Sequence, residues 1–349
     1  MSHILCFSWN SDKTPLCEGY LKNKTSQKIS KSGGVFTKPS DCYNPIFFDS
    51  ILEEIERYDP AIVVITTEND PVNGSYFHSD FLPIMMKSIE PYDRTGEKNY
   101  RLLIRDKYVD DDNTNALRMS IYVKQNNTTI RSVELSKGYI FNDNKDKCEV
   151  QYMGTAKGMA LYLQTKLGTF AFVGIQIPHK YKDAGVCIKS MEDKFIEGKN
   201  LDSFFLMGDF ANDFVINETD KSQNLFDVID QIRAGGIPAG VTENLQVEAN
   251  GKKKFLVPTY SRSYSDKFVN SSMPNRAAQT YEDAINNSTG ELQLGFHDRI
   301  FYNHLKGYDM KCVEYRTIVG SPMLMGNNQN VSRTRNHLGV LAVYEVVNY

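Results

Sequence analysis

Short apolar runs recur along the whole chain and are separated by polar segments. Their length and their content of β-branched and aromatic residues are typical of β-strands. Ten of them predict strands, over residues 4–9, 61–67, 101–104, 117–123, 159–164, 170–177, 203–207, 299–302, 311–317 and 340–347. Three other segments predict helices, over residues 47–58, 81–89 and 223–234. This mixture predicts an α/β protein, and since neither a repeat nor a linker divides the chain, we expect one domain over residues 1–349.

The composition of the 349-residue chain is typical of a globular protein, with 41% hydrophobic and 24% charged residues and a net charge of −3. No run approaches the roughly 18 apolar residues of a membrane helix, and the first ten residues lack a secretory pattern. We therefore expect a soluble, cytoplasmic protein. The near-neutral charge gives no strong signal for nucleic-acid binding. Six cysteines without a C-x-x-C pair argue against a zinc site and a disulfide framework.

Three of the predicted strands run into a polar side chain, which is Asn10, Glu68 or Asp209. The carboxyl edge of strands in an α/β sheet is where such folds build binding sites. A single polar residue after a strand more often begins a loop. The flanking residues and their order along the chain must therefore decide whether these three have a function.

The landmarks S-W-N, T-T-E, M-G-D-F-A-N, F-H-D-R-I and N-H-L-G-V follow one another from Asn10 to His337. In this order they resemble the endonuclease/exonuclease/phosphatase superfamily, whose landmarks read W-N, Q-E, S-H-L, G-D-x-N, W-x-D-R-I and S-D-H-x-P. The P-T-Y element within 256–266, and G-T-A-K-G before F-V-G-I-Q-I-P, resemble the inositol polyphosphate 5-phosphatase branch. The resemblance implies a DNase I-like fold, in which two stacked mixed β-sheets are flanked by helices in a four-layer α/β/β/α sandwich.

The same resemblance implies Mg²⁺-dependent hydrolysis of a phosphate ester, with an inositol phosphate or a phosphoinositide headgroup as the substrate. Glu68, supported by Asn10, would hold the metal, because Mg²⁺ prefers oxygen ligands. Asp209 would orient or deprotonate the attacking water. His337, paired with Asp298, would donate a hydrogen bond to the phosphate oxygens.

Three further residues are implied as contacts to the substrate. Lys157 and Arg262 are candidates for binding peripheral phosphates through charge-assisted hydrogen bonds, and Tyr260 belongs to the P-T-Y element. The alternative for Lys157 and Arg262 is that each is an ordinary solvated basic side chain.

Several positions depart from the pattern of the family. Gln176 replaces the histidine of S-H-L, and it can donate a neutral hydrogen bond but cannot supply the charge of an imidazolium. Ala211 replaces the asparagine of G-D-x-N, and Asn212, one residue later, would substitute for it only if the backbone bulges. Asn336 replaces the aspartate of S-D-H beside the metal.

These departures leave the activity open. Oriented donors of this kind are each worth about 10²–10³ in rate, so losing several leaves little turnover. One alternative is therefore a catalytically inactive member of the fold that serves as a binding or structural protein. A nuclease of the same superfamily is a further alternative, disfavoured by the P-T-Y element and the acidic net charge.

Overall fold

The structure is a computed structural model that describes residues 2–10, 46–71, 100–109, 115–124, 130–139, 157–177, 184–210, 213–216, 246–249, 252–255, 259–261, 292–303, 309–318 and 337–347. Two helices lie within these ranges, α1 (Ile46–Tyr58) and α2 (Ala184–Phe195). The strands in the same ranges are β1 (Ser2–Asn10), β2 (Ile62–Pro71), β3 (Tyr100–Val109), β4 (Asn115–Lys124), β5 (Ile130–Tyr139), β6 (Lys157–Thr165), β7 (Thr169–Gln176), β8 (Ser203–Asp209), β9 (Asp213–Ile216), β10 (Gln246–Ala249), β11 (Lys252–Phe255), β12 (Tyr260–Ser261), β13 (Leu292–Gly295), β14 (Asp298–Tyr302), β15 (Asp309–Ile318) and β16 (Gly339–Val347).

The long strands form two mixed sheets. One has six strands in the order β15-β16-β1-β2-β4-β3, and the other has five in the order β14-β8-β7-β6-β5. Each sheet contains one parallel pair near its centre, β1 with β2 and β7 with β8, while the neighbouring pairs are antiparallel. The shorter strands form a sheet of order β12-β13-β9 and the hairpin β10-β11. In both large sheets, the parallel pair aligns two strand ends at the same edge.

The hydrophobic core lies between the two large sheets. Successive side chains of a strand point to opposite faces, so alternate residues of each strand enter this layer. Ile4 and Cys6 of the first sheet share one buried cluster with Phe205 and Met207 of the second. The rings of Phe205 and Tyr344 meet across the layer with their centroids 5.0 Å apart. The two sheets are therefore stacked face to face.

A helix packs on the outer face of each large sheet. On the first sheet, Arg316 of β15 forms an ion pair with Glu54 of α1 at 2.8 Å, and the ring of His3 lies 5.5 Å from that of Tyr58. On the second sheet, Met191 and other apolar residues of α2 share a buried cluster with outward-facing residues of β7 and β8. The layers thus follow the order α/β/β/α, which confirms the predicted fold class.

All ten predicted strands are present, and the helix predicted over 47–58 is α1. The helices predicted over 81–89 and 223–234 lie outside the described residues. Strand β5 has no counterpart in the prediction because it is an edge strand in which residues 131–134 are exposed, so its sequence lacks an apolar run. Within the described ranges, no helix is both long and apolar enough to cross a membrane.

Candidate functional site

The candidate site lies at one end of the layer between the two sheets. On β8, Phe205 and Met207 face the core, and the alternation of side chains places Asp209, the last residue of the strand, on the same face. The same alternation applies to residues at or near the ends of five further strands. The polar residues that it brings to this end of the core are Asn10, Glu68, Lys157, Gln176 and Asp298, all of them buried.

Gly208 sets the position of Asp209. Its φ is +143°, and a Cβ atom on it would lie 1.9 Å from the carbonyl oxygen of Ile175 on β7. Only glycine permits this approach, which lets β8 pair closely with β7 and places Gln176 opposite Asp209 in the register. The glycine of the G-D motif therefore has a physical role, since it holds the carboxylate against its neighbouring strand.

Asn10 connects the carboxylates of the site. Its amide Nδ2 donates to Oδ2 of Asp209 at 2.6 Å, and its backbone N–H donates to Oδ1 of Asp298 at 2.5 Å. In the parallel register of β1 and β2, Asn10 also lies opposite Glu68. The three acidic residues of the prediction are thus brought together around one asparagine.

Glu68 is the carboxylate with spare ligand capacity. The hydroxyl of Ser8 donates to its Oε1 at 3.2 Å, whereas its Oε2 is buried and has no hydrogen-bond partner among the described residues. Burial, followed by the nearby charges of Asp298 and Asp209, raises the pKa of Glu68 well above its ordinary value. The ionised form is therefore costly unless a cation is close by.

Asp298 and His337 form the predicted pair. Nδ1 of His337 lies 2.9 Å from Oδ2 of Asp298, and both side chains are buried. Thr259 fixes the pair from both sides, because its hydroxyl accepts from the backbone N–H of Asp298 at 3.0 Å and its carbonyl accepts from that of Leu338 at 2.7 Å. Burial, followed by the charge of Asp209, raises the pKa of Asp298.

The role of Thr259 gives the P-T-Y element a structural meaning that the sequence prediction lacked. The prediction assigned Tyr260 to the substrate, but only the backbone of this residue is described, and it pairs with Gly295 in β13. The threonine before it anchors the strand start that carries Asp298.

His297 belongs to the site and was missed by the sequence analysis. It is fully buried, its Nδ1 lies 3.8 Å from Oδ1 of Asp209, and its ring centroid lies 5.3 Å from that of His337. The motif allows any residue before Asp298, and in a continuous strand the two neighbours would point to opposite faces. Because β14 begins only at Asp298, the alternation of a strand does not apply to His297, and its side chain lies on the same side as that of Asp298.

Lys157 and Gln176 lie side by side at the edge of the site. They are partners in the register of β6 and β7, and Nζ of Lys157 lies 3.4 Å from Oε1 of Gln176. Lys157 is only 4% exposed, so the alternative that it is a solvated basic side chain is wrong. The buried cation thus lies next to the neutral amide that stands where the family has its histidine.

Four positions named by the sequence analysis lie outside the described residues. They are Ala211, Asn212, Arg262 and Asn336. Their predicted roles stay predictions.

Comparisons with solved structures agree with this fold. The chain is similar to the inositol polyphosphate 5-phosphatase domain of SpSynaptojanin, solved with inositol (1,4)-bisphosphate and calcium ion, with a TM-score of 0.54, 13% identity, and coverage of 98% of this chain and 83% of that one. It is also similar to Cimex nitrophorin, solved as a ferrous NO complex (TM-score 0.49, 14% identity, 99% and 98% coverage). A third similar structure is an endonuclease/exonuclease/phosphatase family protein from Bacteroides thetaiotaomicron (TM-score 0.47, 13% identity, 100% and 99% coverage).

At the level of sequence, neither the models of protein families nor the curated proteins give a match. The resemblance drawn from the motifs is confirmed as a resemblance of fold. The chain has the DNase I-like fold of the endonuclease/exonuclease/phosphatase proteins. At 13% identity, the comparison defines the architecture and leaves the substrate to be argued from the site.

Proposed function

We propose that the protein is a Mg²⁺-dependent phosphoesterase that acts on an inositol phosphate or a phosphoinositide headgroup. One observation carries the proposal: three carboxylates, those of Glu68, Asp209 and Asp298, are buried together at one end of the core. Burying like charges in one place is unfavourable in itself. A divalent cation bound beside the carboxylates would offset their negative charge, and it would also attract the phosphate of a substrate.

The residues present fit a hard divalent cation. Glu68 offers a buried carboxylate oxygen without a hydrogen-bond partner in the part of the chain that the structure describes, and carboxylate and amide oxygens are the ligands that Mg²⁺ prefers. Glu68 and Asn10 would hold the ion, and we propose Asn336 as a further contact to it. When bound, the ion would neutralise charge on the phosphate and on the leaving oxygen.

Asp209 is proposed as the residue that orients or deprotonates the attacking water. The amide of Asn10 holds one of its carboxylate oxygens, which fixes the direction of the other. A carboxylate held in this way presents its other oxygen in a fixed position, and general-base chemistry requires such positioning. We propose Asn212, the neighbour of Ala211, as a second polar group for this step.

His337 is proposed to donate a hydrogen bond to the phosphate oxygens. Its Nδ1 faces Asp298, so the carboxylate fixes the orientation of the ring and stabilises a positive charge on it. Lys157 would supply further positive charge, which compensates for the neutral amide at Gln176. Tyr260 and Arg262 are proposed as contacts to the remaining groups of the substrate.

Two observations support an inositol phosphate as the substrate class. The P-T-Y element resembles that of the 5-phosphatase branch, and Thr259 of this element is tied to the Asp298–His337 pair. The solved 5-phosphatase domain of similar fold was crystallised with inositol (1,4)-bisphosphate. The net charge of −3 gives no comparable support to a nucleic-acid substrate.

An inactive binding protein is the second candidate, and one specific observation favours it. Gln176 contacts Lys157 and offers a neutral amide at a position where hydrolysis calls for a charged donor. Such a site could hold a phosphate and a cation and still turn over too slowly to matter.

The test is phosphate release from a panel of inositol phosphates and short-chain phosphoinositides, run with Mg²⁺ or with EDTA beside a plasmid-nicking assay. We expect Mg²⁺-dependent release from at least one inositol compound, no nicking, and loss of release in Asp209→Asn. Asp202→Asn is the matched control, because Asp202 lies just before β8 and accepts from the backbone N–H of Thr169 at the start of β7, at the end of both strands opposite to Gln176 and Asp209. Nicking without phosphate release would contradict the proposed substrate class.

A further inference from the structure

Three side chains with metal-binding atoms converge beside the carboxylate site. Asp209, His297 and His337 each offer one ligand atom, and these atoms all lie within 4.8 Å of one another. All three residues are buried. Among the described residues this is the one group of three or more histidine, cysteine, aspartate or glutamate side chains with that geometry.

The backbone holds the three residues in place. Asp209 ends β8, His297 immediately precedes β14, and the two strands are antiparallel partners at this point. The backbone N–H of Phe210 donates to the carbonyl of His297 at 2.8 Å. His337 lies just before β16 and is joined to the same region through Leu338 and Thr259. Three separate strands therefore converge on one point, which is a rigid support for a binding site.

Two of the three ligands have the outer hydrogen bonds that metal ligands require. The amide of Asn10 binds Oδ2 of Asp209 at 2.6 Å, and Oδ2 of Asp298 binds Nδ1 of His337 at 2.9 Å. A carboxylate on one ring nitrogen places the proton there and leaves the lone pair of the imidazole on Nε2. This carboxylate–histidine arrangement orients the ring and raises its basicity as a metal ligand.

The spacing also suits a small tetrahedral ion. Ligand atoms that make bonds of about 2.0–2.1 Å at tetrahedral angles lie about 3.3 Å from one another. Nδ1 of His297 lies 3.8 Å from Oδ1 of Asp209, so small side-chain rotations bring this pair to the required separation. Water or substrate would complete the coordination, as in sites with three protein ligands.

We propose that Asp209, His297 and His337 form a binding site for a transition-metal dication of the zinc class, with a ligand set distinct from the oxygen ligands around Glu68. Two imidazoles and one carboxylate favour zinc or cobalt over magnesium, which prefers oxygen ligands alone. The absence of paired cysteines argued against a zinc site, but these ligands come from strand ends that are distant in sequence. Binding at this site does not rest on the proposed hydrolysis.

The site has a consequence for activity. Because Asn10 holds Oδ2 of Asp209, a metal on Oδ1 would compete with the proton from water for that oxygen, and an imidazole nitrogen that coordinates a metal cannot donate to a phosphate. Asp209 and His337 therefore serve either the transition metal or the Mg²⁺-dependent reaction. Zinc-class ions would therefore inhibit the Mg²⁺-dependent reaction. This inhibition would depend on His297, a residue that has no role in the proposed hydrolysis.

The test is the binding of Co²⁺ to the metal-free protein, followed by visible absorption, with Zn²⁺ added afterwards as a competitor. We expect the intense bands of tetrahedral Co²⁺, their loss on addition of Zn²⁺, and an affinity lowered at least about 100-fold in His297→Gln. Asp209→Asn is a second ligand variant, so the result does not depend on the folding of one mutant. His3→Gln is the matched control at a partly exposed histidine beside Tyr58, and it should bind Co²⁺ like the wild type.

Glu68→Gln separates the two metal sites and should keep the Co²⁺ bands. Loss of the bands in Glu68→Gln, or wild-type affinity in folded His297→Gln and Asp209→Asn, would overturn the proposal. Because the experiment measures only metal binding, it can confirm the proposed metal site even if the protein has no phosphatase activity. Conversely, an active enzyme without Co²⁺ bands would refute this site and leave the proposed function standing.

Discussion

Replacing Gly208 by alanine should destabilise the protein strongly, because the new methyl group meets backbone that cannot move aside. Its carbon would lie 1.9 Å from the carbonyl oxygen of Ile175 and 2.8 Å from its carbonyl carbon. Ordinary contact begins at 3.4 Å, so β7 and β8 must separate by up to 1.5 Å at this point. The strain at φ +143° adds to the effect.

The magnitude follows from three costs. Overpacking costs about 1–3 kcal/mol, a non-glycine residue at this φ costs about 1–3 kcal/mol, and weakening the Ile177–Asp209 backbone hydrogen bond costs about 1 kcal/mol. The sum is about 3–7 kcal/mol. For a 349-residue chain that unfolds cooperatively, an unfolding entropy of about 0.7 kcal/mol per kelvin converts this to a Tm lower by about 4–10 °C.

Thermal unfolding followed by circular dichroism measures this effect, and Gly198→Ala is the matched control. Gly198 also has a positive φ, of +72°, but a Cβ atom there would meet nothing within 4 Å. Only the backbone strain then applies, so its Tm should fall by no more than about 4 °C. A Gly208→Ala variant that melts within 2 °C of Gly198→Ala would refute the argument that close strand contact requires this glycine.

Three further predictions concern the chemistry of the site. Glu68→Gln should abolish the Mg²⁺-induced rise in Tm, which at a concentration 100 times Kd corresponds to about 2.7 kcal/mol, while Glu134→Gln at an exposed ion pair should keep it. The raised pKa of Glu68 means that the metal-free folded state favours its protonated form, so the contribution of Glu68 to stability is fully present below the unfolded pKa of about 4.3 and is lost as pH rises through the folded pKa. Calorimetry across this range should show a loss of stability in the wild type that is smaller in Glu68→Gln. The triple reversal Gln176→His, Ala211→Asn and Asn336→Asp should raise phosphate release by at least about 10²-fold, far more than any single reversal, and no gain would mean that the pocket itself has diverged.

The sequence was sufficient for the features that follow from short apolar runs. Such runs predicted β1 and β8 with a polar residue after each, and these residues, Asn10 and Asp209, are in hydrogen-bond contact in the structure. The pairing of His337 with Asp298, which the structure also shows, was implied by the resemblance to the superfamily. Only the strands and the polar residues that follow them could be predicted from local sequence.

The features that were missed depend on where strands begin and on what lies beside them. His297 turns into the site because β14 starts one residue later, and no periodicity encodes that boundary. The burial of Lys157 follows from its place opposite Gln176 on a neighbouring strand, which is a tertiary relation. Thr259 acts through two hydrogen bonds to segments far away in sequence. Register and strand boundaries, rather than residue type, decided these cases.

The central claim is that the buried carboxylates form a cation-dependent hydrolytic site, and the fate of the attacking water tests it most directly. The measurement is hydrolysis of the preferred inositol phosphate in water enriched in heavy oxygen, followed by phosphorus NMR of the released phosphate. We predict labelled phosphate from the wild type with Mg²⁺, and none with EDTA or in Asp209→Asn. Saturable binding of the same compound by the wild type with Mg²⁺, but without any labelled phosphate, would contradict the claim and identify an inactive binding protein.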